Sequence, residues 1–144
     1  AFINIPPDSD PLLRFISNVI MRRGRRAMAD KVVARTLMHI HALTRSPPLP
    51  IVRLAVALAS PALRVDSHKE GAKVFQRPRP LGERARTGTA IRWILKSAKR
   101  HRSRTVEQNL ALELLSIIQC RNSPKDNPVL KMKGDLHAFA VANR

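Results

Sequence analysis

Residues 62–80, Ala62-Leu63-Arg64-Val65-Asp66-Ser67-His68-Lys69-Glu70-Gly71-Ala72-Lys73-Val74-Phe75-Gln76-Arg77-Pro78-Arg79-Pro80, interrupt a chain whose other segments carry helical periodicity. Neither half of this stretch has apolar residues at three- and four-residue spacing. Both show some alternation of apolar and polar residues around Gly71, the pattern of half-exposed strands. The reading is a β-hairpin with its turn near Glu70-Gly71. Pro78 and Pro80 donate no ladder hydrogen bond, so the return strand is expected at an edge. A basic hairpin this small buries little by itself and is expected to project from a body and touch something.

On the N-terminal side, Asp10-Pro11 pairs an N-cap residue with Pro at the first helical position. Leu12, Ile16, Val19 and Ile20 then share a face, and Gly24 is expected to close the helix. A second helix from about Arg25 carries Val32, Val33, Leu37 and Ile40. It ends at Ser46-Pro47-Pro48-Leu49-Pro50, read as a rigid non-helical connector. Ile51–Ser60 is a short, almost wholly apolar helix, expected to be the central buried element.

On the C-terminal side, a helix resumes near Glu83, with Thr87, Ile91, Ile94, Leu95 and Ala98 on one face. A basic connector, Lys99-Arg100-His101-Arg102-Ser103-Arg104, follows. Thr105 and Gln108 then form a capping box for a helix bearing Leu110, Leu114, Ile117 and Ile118. Asn122-Ser123-Pro124 breaks it, and a last helix from Asn127-Pro128 carries Val129, Met132, Leu136, Phe139 and Ala140. No internal repeat is present. The expected fold is mainly α: one domain over residues 1–144, about six helices and one protruding basic hairpin (62–80), preceded by an N-terminal extension (1–9).

The composition narrows the function. The 144 residues include 27 Lys and Arg, 19 of them Arg, against 10 Asp and Glu, for a net charge of +17. Self-repulsion on that scale calls for a polyanionic partner. At 44% hydrophobic residues the chain is still a folding sequence rather than a disordered tail. Cys120 is the single cysteine, which excludes an internal disulfide and a thiolate zinc cage. No apolar run reaches the roughly 20 residues needed to cross a bilayer. The opening Ala1-Phe2-Ile3-Asn4-Ile5-Pro6-Pro7 lacks the basic region of a signal peptide, and its lack of Met suggests processing or an upstream segment. With four Phe, one Trp and no Tyr, base-stacking platforms are scarce. Phosphate and groove contacts by Arg are the expected binding mode.

The positive charge is uneven. Arg22, Arg23, Arg25 and Arg26 surround Gly24 at the junction of the first two helices. Between Arg77 and Arg104 stand ten Lys and Arg and one acid, Glu83. Lys69 and Lys73 flank the hairpin turn, and Lys131 and Lys133 open the last helix. Any one run could be a solvated helix face; the whole set, with so few acids, is not accounted for that way. These residues form one surface only if the first helix, the fourth helix and the hairpin converge. No helix has the basic face opposite bulky aromatics that membrane-surface helices carry.

Catalytic patterns are not found. His39 and His41 lie two apart and face different directions on a helix, and read as ordinary helix residues. Glu107 and Glu113, six apart, do not form a carboxylate pair for metal-assisted phosphate chemistry. Asp8 and Asp10 read as a capping cluster, Cys120 as a spare thiol, and His137 as structural or a phosphate contact. Gly88-Thr89-Ala90 lies in a helix and makes no phosphate loop. No enzyme, cofactor, metal or small-molecule substrate is expected.

Five stretches, in order, carry a resemblance. They are Asp10-Pro11 with Met21-Arg22-Arg23-Gly24-Arg25-Arg26; Pro61-Ala62-Leu63-Arg64-Val65-Asp66-Ser67 with Gly71 and Val74-Phe75-Gln76-Arg77-Pro78; Ala90-Ile91-Arg92-Trp93-Ile94-Leu95 with Ala98-Lys99-Arg100; Leu110 through Leu115; and Lys131-Met132-Lys133 with Leu136-His137 and Ala142-Asn143-Arg144. From about Asp10 to Arg144 the chain resembles ribosomal protein seven of the small subunit. It departs from that family in having Gly71-Ala72 where Gly-Gly is usual, in a more basic and proline-rich return strand, and in separating Arg84 from Arg86. The basic N-terminal arm and the aromatic C-terminal tail of many members are not seen in it.

The resemblance implies a structural constituent of the small ribosomal subunit. It would bind the 3′ major (head) domain of the small-subunit rRNA and nucleate head assembly, beside neighbouring head proteins. Carried over by motif, Arg22, Arg23, Arg25, Arg26, Arg84, Arg86, Arg92, Lys99, Arg100, Arg102, Arg104, Lys131 and Lys133 would contact rRNA. In the hairpin, Lys69, Lys73, Arg77 and Arg79 would do the same. Lys69-Glu70-Gly71-Ala72-Lys73 would lie near exit-site tRNA and the mRNA path. The divergence and high Arg content suggest the mitochondrial matrix, with a bacterial cytoplasm or another organelle as the alternative. A competing reading is a DNA-compacting architectural protein using the hairpin as a minor-groove arm, although the turn residues supply no apolar wedge.

Overall fold

The computed structural model describes residues 9–143; residues 1–8, with Asp8 among them, and Arg144 lie outside the described residues. The chain forms α1 (Pro11–Ile20), α2 (Arg26–Thr44), α3 (Pro48–Ala59), β1 (Leu63–Glu70), β2 (Lys73–Pro80), α4 (Glu83–Ala98), α5 (Val106–Gln119) and α6 (Pro128–Ala142). Two short 3-10 turns, Cys120–Asn122 and Pro124–Asp126, connect α5 to α6.

The helix starts follow from the sequence. Asp10 accepts the Leu12 and Leu13 amides at 2.8 and 3.4 Å, Thr105 accepts Gln108 N–H, and Asn127 accepts Val129 and Leu130 N–H at 2.9 and 3.4 Å. The Pro-rich segment corrects the expectation of a rigid connector. α3 begins at Pro48 and contains Pro50, because the first-turn amides that proline lacks have no helical partner anyway. Likewise α1 ends at Ile20, before the expected Gly24. Arg23 and Gly24 both take left-handed backbone (φ +54° and +69°) to turn the corner into α2.

α5 packs on α2, α3 and α4, so the centre expected of α3 alone is shared between α3 and α5. The core joins Leu13 and Ile16 of α1, Val33, Leu37 and Ile40 of α2, Val52, Ala55 and Val56 of α3, Ile91 and Ile94 of α4, and Leu110, Leu114 and Ile117 of α5. Each contributes the inward face its spacing predicts.

β1 and β2 pair antiparallel over eight residues each, from Leu63↔Pro80 to Glu70↔Lys73, leaving Gly71-Ala72 as a two-residue turn. Only the first turn residue has positive φ (+62°), which is why Ala is accommodated at the second. Residues 67–77 are all exposed, so the outer hairpin stands in solvent. At about 3.3 Å per residue its arms are roughly 25 Å long. Its base rests on α6.

Candidate nucleic-acid interface

The arginine corner and α4 do converge. Arg22 and Arg25 from the α1–α2 junction line a groove of about 620 Å³ together with Arg92 and Lys96 of α4 and Lys99 at its C-cap. Its floor is apolar, with Ile20, Met28, Leu95 and Val106 among its lining, and no Asp or Glu lines it. None of these five cations has a carboxylate within ion-pair distance among the described residues. No side chain caps α2, whose first turn lies at the groove and holds no acid, so the positive end of that helix adds to the field.

Lys96 was not among the residues expected from sequence. Its signal was present: Arg92, Lys96 and Lys99 are spaced four and three apart and form one helical stripe. Nothing in the sequence pointed to the uncapped start of α2.

The other expected contacts are distributed differently. Arg23 is exposed on its left-handed backbone, and Arg26 pairs with Asp30 at 3.7 Å. Arg84, Arg102, Arg104 and Lys131 are exposed. Arg100 reaches the buried Glu113 at 3.3 Å, which ties the basic connector to the body. Arg86 Nε donates to Pro61 O at 3.1 Å and Lys133 Nζ to Leu58 O at 2.8 Å. Both brace the joint between α3 and the hairpin.

At that joint the Ala62 amide donates to His137 Nε2 at 3.1 Å, so the imidazole is neutral with its proton on Nδ1. Burial, then the charges of Lys133 and Arg86, hold the His137 pKa below its usual value. Burial, then Arg86, does the same to Lys133.

The hairpin sorts its cations by strand alternation. Lys73, Arg77 and Arg79 share a face with Arg64, Asp66, His68, Glu70 and Phe75, while Lys69 lies on the other face with Val74. Arg77 meets Glu70 at 3.2 Å, and Arg64 and Arg79 flank Asp66 at 2.8 and 3.7 Å. Lys69 and Lys73 flank the turn, and among the described residues neither has a carboxylate within ion-pair distance. Val74 and Phe75, just behind the turn, are 60% and 44% exposed.

Among the described residues no group of three or more His, Cys, Asp or Glu could hold a metal, and no helix is long and apolar enough to cross a membrane. His41 Nδ1 bonds Ser46 O at 3.1 Å, in keeping with a structural role.

The profile of the ribosomal protein S7p/S5e family matches residues 6–144. The chain belongs to that family. S7p/S5e proteins are structural rather than enzymatic components. The small ribosomal subunit protein uS7 of Thermotoga maritima is 32% identical over 143 residues, covering 97% of this chain and 89% of that protein. Its counterpart in Thermomicrobium roseum is 33% identical over 144 residues, covering 97% and 88%. The small ribosomal subunit protein uS7m of Schizosaccharomyces pombe is 31% identical over 144 residues, the whole of this chain but 54% of that longer protein. Mitochondrial-type and bacterial members are thus equally similar to this S7p/S5e chain.

Proposed function

We propose that this protein is a structural constituent of a small ribosomal subunit, that it binds the 3′ major domain of the small-subunit rRNA, and that it nucleates assembly of the subunit head. The observation that carries this reading, beside family membership, is the groove at which five unpaired cations and an uncapped helix start converge with no acid in the lining. Such a surface gains counterion-release energy from closely spaced phosphates. Arg23, Arg84, Arg102, Arg104 and Lys131 extend the contact beyond the groove. Arg86 and Lys133 contribute through the backbone they brace, and Arg26 and Arg100 through their ion pairs with Asp30 and Glu113, as well as by charge. The exposed hairpin, with Lys69, Lys73, Arg77 and Arg79, reaches toward exit-site tRNA and the mRNA path. The Arg-rich composition supports a mitochondrial ribosome as its location, with a bacterial ribosome as the alternative.

Exposed Val74 and Phe75 favour a second reading, in which the hairpin wedges into a DNA minor groove. One experiment separates the two: binding to an rRNA head-domain fragment with equal-length duplex DNA as competitor, across a salt series. Retention of the fragment at physiological salt is expected. Equal affinity for both nucleic acids, lost together as salt rises, would move the DNA reading to the front. Arg22→Gln and Lys96→Gln are each expected to flatten the slope of log K against log salt by about 0.7–0.9.

A further inference from the structure

The groove has more than phosphate binding requires. A surface that only neutralises phosphates needs cations, yet here the cations share the groove with a mostly apolar lining. Met28 and Val106, both in the lining, are 60% and 61% exposed. Open apolar surface ringed by polar groups marks a place that something covers. At about 620 Å³ the space falls in the roughly 300–1,000 Å³ range of sites that enclose small organic groups. Its rim of Arg22, Arg25, Arg92, Lys96 and Lys99 makes that group one that arrives attached to anions.

We propose that an unpaired nucleotide of the bound RNA seats its base on this floor, with the flanking phosphates on the rim; this inference rests on the RNA-binding reading above. RNA is read chiefly through unstacked bases, and the polarisable thioether of Met28 suits the face of a base where no aromatic ring is available. Asn109 supplies the edge contact. It is the only neutral polar side chain in the lining, and its Oδ1 accepts the Ser103 amide at 3.0 Å. That bond fixes the amide orientation and leaves its NH2 group as a donor. The seated base therefore presents an acceptor edge.

The test uses the full chain and the rRNA head-domain fragment, mapped with a base-alkylating reagent. Wild type is expected to protect at least one unpaired base, and an abasic substitution at that nucleotide to weaken binding about tenfold. Met28→Gln with Val106→Gln, at two exposed positions, is expected to lose the protection and about tenfold in affinity, with the salt slope unchanged. The abasic fragment is expected to cost that variant nothing further. Tight fragment binding with no base protected and the variant equal to wild type would overturn this inference while leaving rRNA binding intact. A wild type that prefers duplex DNA would overturn both.

Discussion

Removing the Glu113 carboxylate is expected to loosen several elements of the body at once. Glu113 is completely buried yet makes four side-chain contacts. Oε1 accepts Ser97 Oγ at 2.9 Å and Asn127 Nδ2 at 3.1 Å; Oε2 accepts Arg100 Nε at 3.3 Å and His101 Nε2 at 2.7 Å. One side chain thus joins the end of α4, the basic connector, α5 and the N-cap of α6. Glu113→Ala strands the donors of Ser97 and the fully buried Asn127, leaves Arg100 without its counter-charge and takes the hydrogen-bond partner from His101 Nε2. Breaking a buried ion pair costs about 3–5 kcal/mol. Because Arg100 is 41% exposed, its share is discounted, giving about 3 kcal/mol in all. Glu113→Gln keeps an acceptor on Oε1 but presents an amide to two donors, for about 2 kcal/mol. With a urea dependence near 2 kcal/mol per molar, the midpoints should fall by about 1.5 M and about 1 M. The Gln variant stays readable if the Ala variant is largely unfolded. A Gln midpoint within about 0.2 M of wild type, at unchanged slope, would refute the network argument.

Three further outcomes are expected. Burial pushes the Asp10 carboxyl up, but the hydrogen bond from Arg53 and those from the Leu12 and Leu13 amides outweigh it and hold the pKa below 3.8. Asp10→Ala should therefore cost about 1–2 kcal/mol at pH 7, a penalty that urea titrations should show shrinking as pH falls below 3.8 and through the lower folded value. The lowered pKa of His137 means that folding favours its neutral form. The anchor to Ala62 should be fully present above pH 6.5 and weaken as pH falls from there through the folded value; Ala62 amide exchange that is flat across that window, after correction for intrinsic rates, would count against it. Finally, with a net charge of +17 the free protein should melt higher at 0.1 M salt than at 0.01 M, where the screening length triples to about 30 Å. A flat or falling Tm in scanning calorimetry would contradict that.

The elements were legible where one local force dominates. Asp10, Thr105 and Asn127 each sit where an orphan amide needs an acceptor, and structure and sequence agree there. The hairpin was legible because Gly71 marks the single residue that needs positive φ. Pro48 and Pro50 misled, because proline forbids a helix interior but not its first turn. Of the interface, the Arg22–Arg26 corner was readable as a run, whereas its meeting with Arg92, Lys96 and Lys99 depends on the packing of α1 on α4 across some seventy residues. The roles of Arg86, Arg100 and Lys133 could not be read as charge patterns. Each finds an acceptor, Pro61 O, Glu113 or Leu58 O, that only the tertiary fold supplies.

The placement of the acids, more than the number of bases, makes the surface. Asp10 is engaged by Arg53, Asp30 by Arg26 and the Ser17 hydroxyl, Glu107 by Arg35 and Glu113 by Arg100. Asp66 and Glu70 neutralise arginines on one face of the hairpin. None of these carboxylates is among the residues that line the groove. The groove is left without a compensating charge although its cations crowd around one space, an arrangement that costs stability in the free protein and that bound phosphates would relieve. A basic domain built only for solubility would disperse its acids among its bases. Here Asp66 and Glu70 quiet the arms of the hairpin, while Arg22, Arg25, Arg92, Lys96 and Lys99 keep their full charge, so the groove should dominate affinity and the hairpin should contribute position.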